Sequence, residues 1–229
     1  MEFTKLSNRL DLVASFVPAG ARLLDVGSDH AYLPIALLQE GKIEAAIAGE
    51  VVEGPYQSAL QNVADNSLED KIEVRLANGL AAFEPADGIS CITIAGMGGR
   101  LIADILAAGL EKLANVSRLV LQPNNREDEL RAWLVDHDFR IVDEAILEEN
   151  EKFYEILVVE QGSQELTAKE LRFGPYLMRE QAPAFVQKWS KEVEKLAFAL
   201  EQVPVENQSA RASLEERIAH IKEVLHVSK

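Results

Sequence analysis

Hydrophobic positions along the chain fall into two regimes. Between Ala21 and about Gly162, short apolar runs alternate with segments of helical spacing. "ARLLDVG" reads as a strand and "LPIALLQEG" as the helix after it. "EAAIAGEV" and "GPYQSALQNVADN" repeat the pair, "KIEVRLANG" is a third strand, and "ISCITIAGMGG" is a fourth, followed by the helical "RLIADILAAGLEKLA". "SRLVLQP" and "REDELRAWLVDHD" give a fifth strand and helix. Apart from "KIEVRLANG", where charged residues alternate with apolar ones, the strands are near-continuous apolar runs, as strands buried on both faces are. The pattern therefore predicts a parallel sheet with helices on each side. "RIVDEAILEEN" and "KFYEILVVEQG" meet near Asn150 with no helix between them. Parallel neighbours need a long crossover, so this last pair is predicted to be antiparallel.

After "QGSQ" the spacing changes. Val186, Trp189, Val193, Leu196 and Leu200 recur at intervals of three and four, as do Leu214, Ile218, Ile221 and Leu225. Such intervals predict two amphipathic helices with a heptad-like seam. The short polar "VPVENQSA" between them predicts an antiparallel hairpin. Residues 165–181 are less regular, and Pro175 and Pro183 are expected to bend the entry. The chain thus divides into 1–162, an α/β unit, and 163–229, a small helical hairpin. At the other end, Leu6, Leu10, Val13 and Val17 fall at helical spacing. Charges interrupt this segment, which argues against a secretory signal. No run of about 18 apolar residues is present, so no membrane-spanning helix is expected.

Composition narrows this further. With 229 residues, 48% hydrophobic and 27% charged, the chain is expected to fold as one large domain or as one domain with a smaller one. The formal net charge of −15 argues against a broad nucleic-acid-binding surface. That charge is carried by residues 1–162, and 163–229 is neutral. The single cysteine, Cys91, lies inside an apolar run and reads as a small buried hydrophobe rather than a nucleophile. One cysteine fits a reducing compartment, hence the cytoplasm.

In an open α/β sheet, ligands bind outside the carboxyl ends of the strands. The first such loop is "DVGSDHAYLP", residues 25–34. Gly27 permits a sharp turn and close approach of a ligand. The further glycines that seat a pyrophosphate on a helix N-terminus are missing, and Asp29, His30 and Ala31 occupy the turn instead. A carboxylate repels pyrophosphate. A phosphate-free cofactor with a positive centre suits this loop better, and S-adenosylmethionine is such a cofactor. The competing reading is an ordinary turn with Asp29 capping the helix. Glu50 ends the second strand 23 residues past Gly27, and a carboxylate about 20 residues beyond such a turn reaches the two ribose hydroxyls of an adenosine. Asn78 and Gly79 end the third strand and offer an amide for an adenine edge, or simply a good turn. Gly96, Gly98 and Gly99 open the loop after the fourth strand, either for substrate to meet cofactor or as a plain helix start.

In this order, "LLDVGSDHAYLP", "GEVVEGP", "NGL", "TIAGMGG" and "LVLQPN" resemble the bacterial tRNA (adenine-22-N1)-methyltransferase family. The likeness spans nearly the whole chain. It implies a Rossmann-like methyltransferase sheet, mostly parallel with one antiparallel closing strand, and a coiled-coil-like C-terminal hairpin. It also implies cofactor contacts from Asp25, Gly27, His30, Glu50, Asn78, Gly79, Gly96, Met97 and Gly98, and N1 of a tRNA adenine as target. Asn78 stands where many methyltransferases carry Asp. "GMGG" replaces the D/N-P-P-Y/F loop with which many exocyclic-amine methyltransferases hold the amino group. A ring nitrogen already has a free lone pair and needs in-line presentation and tolerance of the product's positive charge. Asp29 is the candidate to take a proton from the exocyclic amine, or else to bind the cofactor ammonium. His30 and Tyr32 are its orienting or stacking neighbours.

An adenine within folded tRNA must be unstacked, with backbone contacts holding the rest. Lys188, Lys191, Lys195, Arg211, Arg217 and Lys222 on the hairpin, with Arg100 and Arg126 near the active edge, form the expected tRNA-facing set. The bland alternative is a solvated hairpin face. Asn124 and Asn125 either hydrogen-bond the target base or cap the helix beginning at Arg126. No metal is expected, and a weak homo-oligomer is left open. Three other readings compete: a methyltransferase acting on another RNA or a small molecule, a non-catalytic cofactor-binding module, and a dinucleotide-dependent oxidoreductase. The last is disfavoured by the missing glycines and the antiparallel closing pair.

Overall fold

The computed structural model describes residues 4–226. Helix α1 (Asn8–Phe16) precedes a regular alternation: β1 (Ala21–Val26), α2 (Tyr32–Gln39), β2 (Ile43–Glu50), α3 (Glu53–Asp65), β3 (Ile72–Leu76), β4 (Cys91–Met97), α4 (Gly99–Ala107), β5 (Arg118–Pro123) and α5 (Glu127–Asp136). The hairpin β6 (Phe139–Glu149) and β7 (Lys152–Gln161) closes the sheet. The strand order is β3-β2-β1-β4-β5-β7-β6. β1 to β5 are parallel, and β7 runs antiparallel to both β5 and β6. Strand order reverses between β1 and β4, so the loops after these two strands face one another across the crevice where ligands bind.

The consecutive apolar positions are explained by burial on both faces. Leu24, Ile47, Ile92, Ile94 and Leu121 pack under α4 and α5 with Ile102, Leu106, Leu130 and Leu134. Leu23, Ala46, Val74 and Val120 meet Val13 of α1, Leu37 of α2 and Val63 of α3 on the other face. Cys91 is fully buried there, and burial pushes its thiol up to about 12, so it serves as a small apolar side chain.

The C-terminal part begins with two short helices, α6 (Ala168–Phe173) and α7 (Pro175–Glu180). Pro175 and Pro183 each occupy the first turn of a new helix rather than bending one continuous entry, because a helix start has no N–H bond for proline to lose. α8 (Pro183–Gln202) and α9 (Gln208–His226) fold back on each other as an antiparallel pair. Arg217 reaches Glu192, and Gln181 donates to the Val224 carbonyl. Trp189 and Leu196 are buried as expected, but Val186 is 38% exposed and Phe185 takes its place inside. The first turn of α8 faces the sheet hairpin as well as α9, so the seam starts one residue earlier. Ile146 of β6 and Phe153 of β7 belong to this third apolar cluster.

A buried ionic group joins the same parts. Arg131 of α5 is fully buried and binds Glu144 of β6 and Glu155 of β7. Lys188 of α8 binds Glu155 at 2.7 Å and Glu127 of α5 at 3.0 Å. Arg131 also donates to the Leu171 carbonyl, and Glu144 accepts from the Tyr176 backbone N–H. The helices after residue 162 are therefore riveted to the outer strands.

Candidate active site

The loop after β1 is held from beneath by Asp25. Its two carboxylate oxygens accept from Ser28 Oγ and Thr93 Oγ1, each at 2.6 Å. Burial pushes this carboxyl above its usual range, against those two hydrogen bonds. Both oxygens being engaged, Asp25 ties the β1 loop to β4. Gly27 has φ +66°, and a Cβ there would collide with the Met97 side chain, so the β1 and β4 loops touch at these two residues. Asp29, His30 and Ala31 follow with φ of 44°, 68° and 59°. Three consecutive non-glycine residues in the left-handed region are costly, and such strain gathers at functional sites. The cap position of α2 is Ala31, with no side-chain hydrogen bond, so the helix-cap role for Asp29 is not realised. Asp29 is free to face outward, its side chain 84% exposed and 3.5 Å from His30 Nε2. The His30 and Tyr32 rings lie 5.4 Å apart, and Tyr32 is half-exposed.

Glu50 is unusual in being buried and unpaired. It is 5% exposed, and among the described residues its Oε1 finds no hydrogen-bond donor. Burial raises its carboxyl above the usual range, and the Asp29 backbone N–H only partly opposes this. A buried carboxylate oxygen without a partner costs free energy unless a ligand supplies a donor. Next to it Val51 and Val52 are large, apolar and exposed. Asn78 and Gly79 line a separate cavity of about 360 Å³ with Leu80, Leu101 and Ile105.

The loop after β4 is fixed from β5. Gln122 is completely buried, and its Oε1 accepts from the Gly96 backbone N–H at 3.0 Å. Asn124 Nδ2 donates to the Gly96 carbonyl at 2.6 Å, and the Asn124 backbone N–H donates to the Met97 carbonyl at 2.7 Å. The Gly99 N–H donates to the Asn125 carbonyl, and a Cβ at Gly99 would clash with the Arg126 carbonyl. Asn124 and Asn125 thus brace the glycine loop. They do not cap α5, whose cap position is Arg126 in a left-handed conformation with no side-chain bond. A cavity of about 350 Å³ lies between the two loops, lined by Asp25, Gly27, Asp29, Gly96 and Met97 and, unforeseen from the sequence, by Arg9 and Tyr154.

Residues 23–223 match the family model described as tRNA (adenine(22)-N(1))-methyltransferase. This chain belongs to the tRNA (adenine(22)-N(1))-methyltransferase family. A Bacillus subtilis (strain 168) tRNA (adenine(22)-N(1))-methyltransferase is 39% identical, the alignment covering 98% of this chain and 99% of the relative. A Streptococcus pneumoniae protein crystallised with S-adenosyl-L-methionine is 66% identical with a TM-score of 0.90, over 97% of this chain and 100% of that one. TrmK from M. capricolum, in complex with S-adenosyl-homocysteine, is 28% identical with a TM-score of 0.84, over 98% and 99% of the two chains. Family membership sets aside the oxidoreductase and non-catalytic readings.

In this tRNA (adenine(22)-N(1))-methyltransferase family member the expected tRNA-facing cations do not form one set. Lys188 is largely internal, its charge consumed by Glu127 and Glu155. Arg211 is likewise internal in role, donating to the Leu200 and Val203 carbonyls at the end of α8. Arg100 and Arg126 both pair with Glu129 on an exposed surface. Lys195 and Arg217 stand near Glu192, and Lys222 is exposed. A groove of about 900 Å³ runs from Asn124 and Asn125 to α8. Its walls carry Lys152, Arg172, Lys191 and Lys195, with Phe153, Tyr154 and Trp189 between them. Lys152 and Arg172 were missed because their charges join this wall only once β7 and α6 are folded together.

Proposed function

We propose that this enzyme transfers the methyl group of S-adenosylmethionine to N1 of adenine 22 in tRNA, using the carboxyl ends of β1, β2 and β4. The observation that carries the assignment of this edge is the buried, unpartnered Glu50 oxygen in a member of this family. A ribose diol supplies the donors that oxygen lacks. The residues fit the cofactor: Glu50 for the ribose, the Asn78–Gly79 cavity for the adenine, and Gly27 with Gly96–Gly98 where backbone must come close. When bound, S-adenosylmethionine supplies an electrophilic methyl group on a positive sulfur.

The protein's own part is placement and charge. Gln122 and Asn124 fix both polar groups of Gly96, so the β4 loop presents a rigid wall to the reacting edge. Met97 packs over Gly27 and fixes how closely the two loops approach. Asp29 faces this cavity, stabilises the positive charge that N1 methylation creates, and takes the proton from the exocyclic amine, with His30 beside it. Tyr32 serves as a stacking neighbour. Lys191 and Lys195 of the groove and the exposed Lys222 contact the tRNA backbone, while the half-buried Phe153 and Tyr154 offer stacking faces to unpaired bases. tRNA as substrate supports a cytoplasmic location. Among the described residues no helix is long and apolar enough to cross a membrane, and no cluster of His, Cys, Asp and Glu is arranged to hold a metal.

The test is transfer of label from methyl-labelled S-adenosylmethionine to an unmodified tRNA pool, followed by digestion and mapping. Label is expected as 1-methyladenosine at position 22. Label on other RNA or on small molecules alone would refute the assignment.

A further inference from the structure

Helix α1 lies outside the alternating sheet, yet it delivers a cation to the active edge. Arg9 lines the cavity between the β1 and β4 loops, and among the described residues it is the one Lys or Arg that does so. Asp25 and Asp29 line the same cavity, and Glu50 is close enough to feel both of their charges. This edge repels polyanions, but an adenosine inside an RNA arrives with a phosphate on each side. Something must offset that repulsion beside the reacting base.

The placement of Arg9 is built. Its Nη1 donates to Gln122 Oε1 at 2.6 Å, the same oxygen that accepts from the Gly96 N–H. Its guanidinium lies over the Tyr154 ring, 5.6 Å from the centroid. One nitrogen is thereby committed to Gln122 of β5, one face is committed to an aromatic ring, and the side chain is half-buried. A guanidinium has five N–H donors in a fixed fork, so most remain for a ligand. Among the described residues no carboxylate pairs with Arg9, unlike Arg100 and Arg126, which share Glu129.

We propose that Arg9 binds the phosphate flanking the target adenosine and, through Gln122, couples arrival of that phosphate to the position of the Gly96–Gly98 loop. This rests on the tRNA methyltransferase reading above. Its chemistry asks for a phosphodiester next to an unstacked base, not for a free nucleobase.

The experiment compares wild type, Arg9→Gln and Arg9→Lys in steady-state methylation of one unmodified tRNA across a salt series, with S-adenosylmethionine binding measured calorimetrically. Arg9→Gln is expected to raise KM for tRNA roughly tenfold or more, and to reduce the slope of log(1/KM) against log[salt] by about one. Affinity for S-adenosylmethionine should stay within about twofold. Arg9→Lys should restore the salt slope but not the full kcat, since an ammonium carries the charge without the fork. A wild-type salt slope in Arg9→Gln would overturn the proposal. So would a loss of S-adenosylmethionine affinity as large as the loss toward tRNA, because Arg9 would then only hold the loop. Absence of tRNA methylation by the wild type would instead overturn the functional reading.

Discussion

Replacing Glu50 by Gln separates what this residue does for the fold from what it does for the ligand. In the ligand-free protein its carboxylate is 5% exposed, and one oxygen has no donor. A folded-state carboxyl whose affinity for protons is raised by burial binds more protons than the unfolded chain does above the usual 4.5. Stability therefore falls as pH rises above that value and the buried carboxyl ionises. An amide of the same shape removes the charge and keeps an oxygen for the Asp29 N–H. The gain is about 1 kcal/mol, the lower end of the cost of an unsatisfied buried group. In a protein of this size that raises the melting temperature by about 2–4 °C. In the proposed cofactor contact the same change removes charge-assisted hydrogen bonds to a ribose diol, and S-adenosylmethionine binding is expected to weaken by roughly 10- to 100-fold. Thermal melts without ligand at pH 7 and near pH 4.5, with calorimetric titration of S-adenosylmethionine, measure both effects. The stabilisation should shrink toward the lower pH. A ligand-free variant that melts below wild type at pH 7, or one that binds S-adenosylmethionine with unchanged affinity, refutes the reasoning.

Two further changes probe the frame around the site. Arg131→Met leaves Glu144 and Glu155 facing each other in a dry interior, at a cost of about 3–5 kcal/mol. Chemical denaturation should show that loss, whereas a change below about 1 kcal/mol would mean that water reaches the cluster. At the opposite end of the sheet, hydrogen bonds from Arg75 hold Asp87 well below its usual 3.8, at about 2. A depressed carboxyl stabilises the fold above its unfolded value and loses that contribution as pH falls from about 3.8 to about 2. Asp87→Asn should flatten the acid limb of the stability curve in that window, and an unchanged acid limb would count against the pair.

Every strand and α-helix of the sheet region was legible in the hydrophobic pattern, but the one helix expected over "RLIADILAAGLEKLA" ends at Ala107, and Leu110–Asn115 follows as a separate 3-10 helix after Gly109. The glycine at position 27, the acidic turn after it and Glu50 at the end of β2 were legible as a candidate ligand edge, since they follow strands whose carboxyl ends must meet. What Glu50 lacks could not be read, because a missing hydrogen bond is a property of its surroundings. Lys188 and Arg211 illustrate the same limit. A lysine on the polar face of a predicted helix looks solvated, and only the docking of α8 on β7 and α5 turns Lys188 inward onto Glu127 and Glu155. Arg211 is drawn to the end of α8 by carbonyls that a helix terminus leaves unsatisfied.

The sequence by itself determined the element order, the switch from β/α alternation to a helical pair, and the family to which the loops belong, since periodicity and motif spacing are local properties of the chain. Tertiary structure decided which charges remain available. Arg9 and Gln122 are 113 residues apart. They meet because α1 packs across the sheet near the ends of β4 and β5. The clamp they place on Gly96 arises from chain crossings that no local pattern encodes.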